Sequence, residues 1–329
     1  MAQQMKPVAL YYRILKYQPK NYNFINEHFE LLELEHPGEN FDALLARVEL
    51  LFAPLGFQID DDCLARCPRL KVIVSNTTGV PHIDVAAAER RNVEICALHN
   101  EQGFLEAITP TAEHTIGLML AAARRLPGAH QAASAGKWDR RPWGSPRMIS
   151  RLRMGLVGYG RLGRKVGAIA RAMSMDVAWF DPHVTDGEGR VNDLLDLASR
   201  SDVLSLHAVA NEHTRGLVSR QVLEALPKGS MVINTARGEL LDTEALLDLL
   251  ECGHLWAASL DTIDGEYKLD FSEKFASSRL AKYARNHNNL IITPHIGGST
   301  VDAWQETEWR VIEKACGVLG INVATGHRQ

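Results

Sequence analysis

The chain has 329 residues, of which 46% are apolar and 23% charged, with a formal net charge of −4. That length suggests two domains of roughly 150 residues each, and the composition is that of an ordinary globular protein. A slightly acidic chain without an apolar run near the ~20 residues of a membrane span gives no reason to expect a nucleic-acid or membrane partner.

Residues 1–6 lead into a short apolar run, not a signal-peptide core. Val8 to Tyr12 reads as a strand. Behind Asp42, a candidate cap, Leu44, Leu45, Val48, Leu51 and Phe52 fall at helical spacing and predict a helix. Residues 72–74 and 93–97 predict strands, with a helix over 84–91 between them and Asp84 as its cap. Such alternation implies a parallel sheet covered by helices on both faces. Five cysteines, Cys63, Cys67, Cys96, Cys252 and Cys316, form no disulfide framework and no metal-ligand cluster. Free thiols fit a reducing cytoplasm, where the protein is expected.

The pattern changes near residue 100. Thr109-Pro110 opens a long helix, with proline at its first turn, that runs to about Arg125 and stops before Pro127-Gly128. An irregular stretch with Trp138 and Trp143 fills 126–150. Alternation then resumes, with strands expected over 154–158, 176–180, 203–207, 230–234, 256–260 and 289–293. Asp242-Thr243 caps a helix whose apolar face holds Leu246, Leu249 and Leu250, and Gly253 ends it. A last helix spans about 300–319.

The strand at 154–158 runs into Gly158-Tyr159-Gly160-Arg161-Leu162-Gly163, followed by a helical stretch and a second strand ending at Asp181. Each part suits a dinucleotide. Gly158 permits the tight turn, Gly160 admits a pyrophosphate close to the backbone, and Gly163 lets helix and strand pack closely. The helix N-terminus offers free N–H groups to phosphate. Asp181, 23 residues beyond Gly158, can accept hydrogen bonds from the ribose hydroxyls and would repel a 2′-phosphate, which favours NAD over NADP.

Three further motifs end successive strands: Asn234-Thr235-Ala236-Arg237-Gly238, Asp261-Thr262-Ile263-Asp264-Gly265-Glu266, and Thr293-Pro294-His295-Ile296-Gly297-Gly298. In a doubly wound sheet, ligands sit at the carboxyl ends of the strands, so these side chains can converge. With residues 74–84 (VSNTTGVPHID) and 201–207 (SDVLSLH), they occur in one order over nearly the whole chain. In this the sequence resembles the D-isomer-specific 2-hydroxyacid dehydrogenases, the family of D-3-phosphoglycerate dehydrogenase and glyoxylate/hydroxypyruvate reductase.

The resemblance implies an NAD-dependent oxidoreductase that transfers a hydride between nicotinamide and C2 of a small D-2-hydroxy or 2-oxo acid, phosphorylated and phosphonate-bearing acids included. Arg237 matches the arginine that holds the substrate carboxylate, a role suited to its charged fork. His295 matches the general acid/base and Glu266 its acidic partner; a carboxylate beside an imidazole favours the protonated ring. Asp261 matches an aspartate contacting the nicotinamide carboxamide, and Thr235 and Ala236 lie beside the cofactor. Backbone groups of Ser75, Asn76, Thr77, Thr78 and Gly79 match a loop that binds the substrate carboxylate. Relatives dimerise through the segment matching residues 109–150, so a homodimer is expected.

The implied architecture is α/β with two doubly wound parallel sheets. A Rossmann NAD-binding domain, 101–296, is inserted in a flavodoxin-like substrate domain made of 1–100 and 297–329. The chain departs from the family in a longer, charged crossing at 97–109, in Tyr267 where proline is usual, in Val209 where proline is frequent, and in a charged stretch, 267–286, with Arg279, Lys282 and Arg285. The crossing lies where substrate identity is commonly set. No further regulatory domain is expected beyond Gln329. Two other readings stay open: an NAD(H)-binding regulator similar to the family's corepressors, and a dehydrogenase of another small anion such as phosphite.

Overall fold

The computed structural model describes residues 6–35, 37, 42–144, 147–268 and 270–323. Residues 1–5, Ser145 and Pro146 therefore lie outside the described residues, as do the last residues of the chain. Two compact units emerge. The first comprises the described residues of Met1–Ile108, Tyr267–Leu269 and Thr300–Gln329; the second comprises those of Thr109–Glu266 and Asp270–Ser299. The chain crosses at 108/109 rather than at 100/101 because residues 97–108 stay with the first sheet. Leu98 and Leu105 are buried in its core, and Glu101 is paired with Arg310 and Lys314 of the terminal helix.

The first unit holds strands Val8–Tyr12 (β1), Glu30–Leu34 (β2), Leu50–Phe52 (β3), Val72–Val74 (β4) and Glu94–Cys96 (β5). They form a parallel sheet in the order β2-β1-β3-β4-β5, a flavodoxin-like arrangement. The helix expected across Leu44 to Phe52 is not what forms. Only Asp42–Leu45 is helical, and Leu50–Phe52 is a strand between β1 and β4. All three of its residues are fully buried, so the run lacks the alternation that marks a strand with one wet face. The terminal helix, Val301–Val318, returns to this unit and buries Val311, Ile312, Ala315 and Cys316 in the same core as β1 and β4. That return makes the unit discontinuous.

The second unit holds Arg153–Val157 (β6), Asp176–Phe180 (β7), Val203–Leu206 (β8), Ser230–Asn234 (β9), Leu255–Leu260 (β10) and Leu290–Ile292 (β11). Their parallel order is β11-β10-β9-β8-β6-β7. A lone bridge from Trp179 to Arg190 stands where a third strand would lie beside β7, which restores the dinucleotide-fold order with that strand cut to one residue pair. The long helix is Pro110–Arg124. Pro127 does not leave an irregular stretch behind it, as the sequence suggested. Arg125 turns left-handed (φ 50°), and a new helix, Leu126–Ser134, takes Pro127 into its first turn, where no N–H is needed. Among the described residues, no helix is long and apolar enough to cross a membrane.

Candidate active site

The register of the second sheet aligns one row of residues across all six strands. Phe180 pairs with Val157, Val157 with Leu206, Leu206 with Asn234, Asn234 with Leu260, and Leu260 with Ile292. One residue beyond this row stand Asp181, Gly158, His207, Thr235, Asp261 and Thr293. The motifs singled out in this part of the sequence thus begin along one sheet edge, at the carboxyl ends where ligands of such sheets bind.

The glycine loop follows β6. Gly158 is left-handed (φ 94°), and a Cβ there would come within 2.7 Å of the His207–Ala208 backbone. A Cβ on Gly163 would meet the Gly158 carbonyl at 2.2 Å, whereas one on Gly160 would meet nothing within 4 Å. Gly160 precedes the helix Arg161–Ala172, whose first turn has no side-chain cap and includes Arg161 and Leu162. A helix start of this kind can offer backbone N–H groups to an anion. Between the glycines, Tyr159 stacks on the buried Trp179 of β7, with centroids 4.2 Å apart. The Asp181 carboxylate accepts the N–H of Tyr159 and of His183, both at 2.8 Å. An open glycine, an uncapped helix start and an acid at the end of β7 fit a dinucleotide without a 2′-phosphate. His207 lies beneath this loop; its Nε2 is 2.9 Å from Ser205 Oγ, and desolvation pushes it down to about 4, a neutral packing residue.

Arg237 follows β9 in extended backbone and donates from Nη1 to the carbonyl of Ala236. The fully buried Asn234 shapes this turn, accepting from Ala236 N and donating to the Arg237 carbonyl. Gly238 is packed against the next motif, where a Cβ would come within 2.0 Å of Asp264 N. Glu266 closes that motif, and its Oε1 lies 2.9 Å from His295 Nδ1. Thr235 is buried, with its hydroxyl 2.7 Å from that of Thr115.

His295 has φ 52°, a left-handed conformation that side-chain-bearing residues seldom adopt outside strained sites. Asp261 holds it there. The Asp261 carboxylate accepts from Ile296 N (2.9 Å), Gly297 N (2.8 Å) and the Thr293 hydroxyl (2.5 Å), while its backbone carbonyl accepts from His295 N. His114 Nε2, on the long helix, lies 3.3 Å from the same carboxylate. Asp261 is 1% exposed; expected as a cofactor contact, it is also the anchor of the histidine turn. The sequence does not mark Asn234, His114, Tyr159 or Thr293 as positioning groups. Asn234 and Thr293 stand inside the strand-end motifs, but nothing in spacing alone links His114 to Asp261.

The substrate-loop residues Ser75, Asn76, Thr77, Thr78 and Gly79 belong to the first unit, where they follow β4. Arg279 is engaged by Glu244, Asp248 and Glu251, so it serves a surface network. Among the described residues, no cluster of metal-ligating side chains occurs.

Residues 116–297 match the family described as D-isomer specific 2-hydroxyacid dehydrogenase, NAD binding domain. A hydroxypyruvate reductase of Thermotoga maritima is 29% identical over 297 residues, covering 88% of this chain and 92% of that protein. A D-3-phosphoglycerate dehydrogenase of Methanocaldococcus jannaschii is 30% identical over 277 residues, covering 82% of this chain. The chain spans only 50% of the length of that second relative. The crystal structure of a D-lactate dehydrogenase from Aquifex aeolicus, complexed with NAD and lactic acid, has the same fold (TM-score 0.79, 23% identity, 95% of each chain).

Proposed function

The chain belongs to the D-isomer-specific 2-hydroxyacid dehydrogenase family, and on that premise we propose that it interconverts a small D-2-hydroxy acid and its 2-oxo acid with NAD as partner. The observation that carries this reading is the His295–Glu266 pair, held on a strained turn at the carboxyl edge of the sheet. NAD, when bound, supplies the hydride donor or acceptor. Arg237 grips the substrate carboxylate through its guanidinium fork. Glu266 accepts the Nδ1–H of His295, which makes Nε2 the atom that exchanges a proton with the substrate. In reduction, Nε2 protonates the C2 oxygen as it gains negative charge; in oxidation, neutral Nε2 removes that proton. Asp181 receives the ribose hydroxyls, and Gly158, Gly160, Arg161, Leu162, Gly163, Thr235 and Ala236 frame the cofactor. Backbone groups of Ser75, Asn76, Thr77, Thr78 and Gly79 serve as substrate contacts.

The near full-length match to a hydroxypyruvate reductase favours a compact 2-oxo acid such as hydroxypyruvate or glyoxylate. NADH consumption against these two, pyruvate, 2-oxoglutarate, and phosphorylated and phosphonate-bearing analogues tests the reading. Turnover of at least one is expected. NADH binding with no turnover of any would overturn it.

A homodimer through residues 109–150 is part of this proposal. Leu126, Trp138 and Met148 expose large apolar side chains there. Light scattering should report twice the chain mass, and a monomer mass would refute the dimer.

A further inference from the structure

The loop after β4 is tied by side chains that the proposed reaction does not use. Thr77 Oγ1 lies 2.7 Å from the Gly79 carbonyl oxygen, which can only accept, so the one Thr77 hydroxyl proton goes there. Ser75 Oγ, 2.8 Å from Thr77 Oγ1, must then donate its own proton to Thr77. That leaves Ser75 Oγ as the acceptor for His82 Nε2, 3.3 Å away. Proton counting thus assigns His82 as the Nε2–H tautomer. Its Nδ1 is buried and has no hydrogen-bond partner among the described residues.

His82 is itself a fixed point. It is 3% exposed, and burial alone pushes it down to about 4, so the ring is neutral under working conditions. Its carbonyl accepts from Ile59 N at 2.7 Å, and Ile83 bridges Ile59. The far side of the loop is pinned by backbone bonds from Ser75 N to Cys96 O and from Leu98 N to Thr77 O. Those bonds hold Ser75 and Thr77 but not Gly79. Among the described residues, only the hydroxyl chain that starts at His82 reaches the Gly79 carbonyl.

We propose that His82 is a positioning residue, the start of a one-way relay through Ser75 and Thr77 to Gly79 that holds the 75–79 backbone ready for a substrate carboxylate. The inference rests on the assignment of that loop to substrate. Apolar packing alone would not care which ring nitrogen carries the proton, whereas the relay requires Nε2–H.

Two readouts on the full chain test it. Nitrogen-15 histidine spectra at neutral pH, with the signal assigned by its loss in His82→Gln, should show the neutral Nε2–H form. An Nδ1–H form or an imidazolium would overturn the relay. In steady-state kinetics with hydroxypyruvate or glyoxylate, His82→Leu should raise KM about tenfold, with kcat within about threefold and NADH affinity unchanged. His82→Gln, which keeps a donor, should recover most of the loss. Ser75→Ala should match His82→Leu, and joining the two should add little. An unchanged KM, or a loss confined to kcat, would overturn the proposal. If the unmodified protein turns over none of the acids, the functional reading fails while the spectra still decide the relay.

Discussion

The carboxyl edges of the two sheets are built from different materials. At the edge of the six-stranded sheet, a buried carboxylate, Asp261, gathers backbone N–H groups, a hydroxyl and an imidazole to hold His295 in a strained conformation. At the edge of the five-stranded sheet, beyond β4, neutral hydroxyls and a neutral His82 hold the loop. A group that gains and loses a proton needs a mount that survives the change of charge, and an anionic anchor with several donors supplies one. A loop that offers backbone N–H groups to an anion needs shape alone. A carboxylate there would repel the anion, and a neutral mount leaves its field undisturbed. On the proposed function, one edge would serve reaction and the other recognition.

The sharpest way to break this contrast is to remove the reacting group. His295→Ala should lower kcat by about 10²- to 10⁴-fold while NADH affinity, read by fluorescence titration, stays unchanged. Near-full turnover would mean that the first edge is not the reacting one. Next comes the mount. Asp261→Ala strands the N–H groups of Ile296 and Gly297 and should cost about 2–4 kcal/mol of stability in urea unfolding, together with a fall in kcat. A stable variant with normal kcat would show that the strained turn needs no anchor.

The smallest effect is read by pH. Burial opposes the charge on Asp202, but hydrogen bonds from Arg153 and Arg147 outweigh it and hold its carboxyl down to about 2 from 3.8. Its contribution is present above pH 3.8 and fades as pH falls toward 2. His82 and His207 run down from 6.5 to about 4, so the unfolded chain binds protons that the folded one refuses, and stability falls as pH drops through that window. Thermal unfolding midpoints should therefore decline in two stages. His82→Gln should lessen only the first, leaving the share of His207, and Arg153→Ala should lessen only the second. A His82→Gln profile parallel to the unmodified one would show that His82 does not resist protonation.

Much of this was legible in the residues. Strands with flanking glycines or helix caps, such as β6 and β9, declare themselves, and the segment from Gly158 to Asp181 is nearly self-describing. Leu50–Phe52 is not, because a three-residue run buried on both faces has no period. Pro127 misleads because proline ends one helix and starts another by the same missing N–H. The proposed reacting set Arg237, Glu266 and His295 is visible from motif order, and the structure joins Glu266 to His295 by a hydrogen bond. Its supports are not visible, since His114 and Asp261 lie far apart in sequence and meet only through folding.

The aligned row Phe180–Val157–Leu206–Asn234–Leu260–Ile292 also acts as a ruler. Asp181, Gly158, Thr235 and Asp261 each stand a single step beyond it, so the register of the sheet sets where each of these residues leaves its strand. Beneath the row, β10 already carries one extra residue against β9, since Leu255 pairs with Ser230 and Ala257 with Met231, and this bulge leaves the pairs from Ala257 to Leu260 in register. One residue added between that bulge and the row would push the remainder of the strand, and the motif at its end, along by ~3.3 Å and turn each side chain to the opposite face. An extra residue is therefore absorbed only where a bulge takes it up before the row is reached.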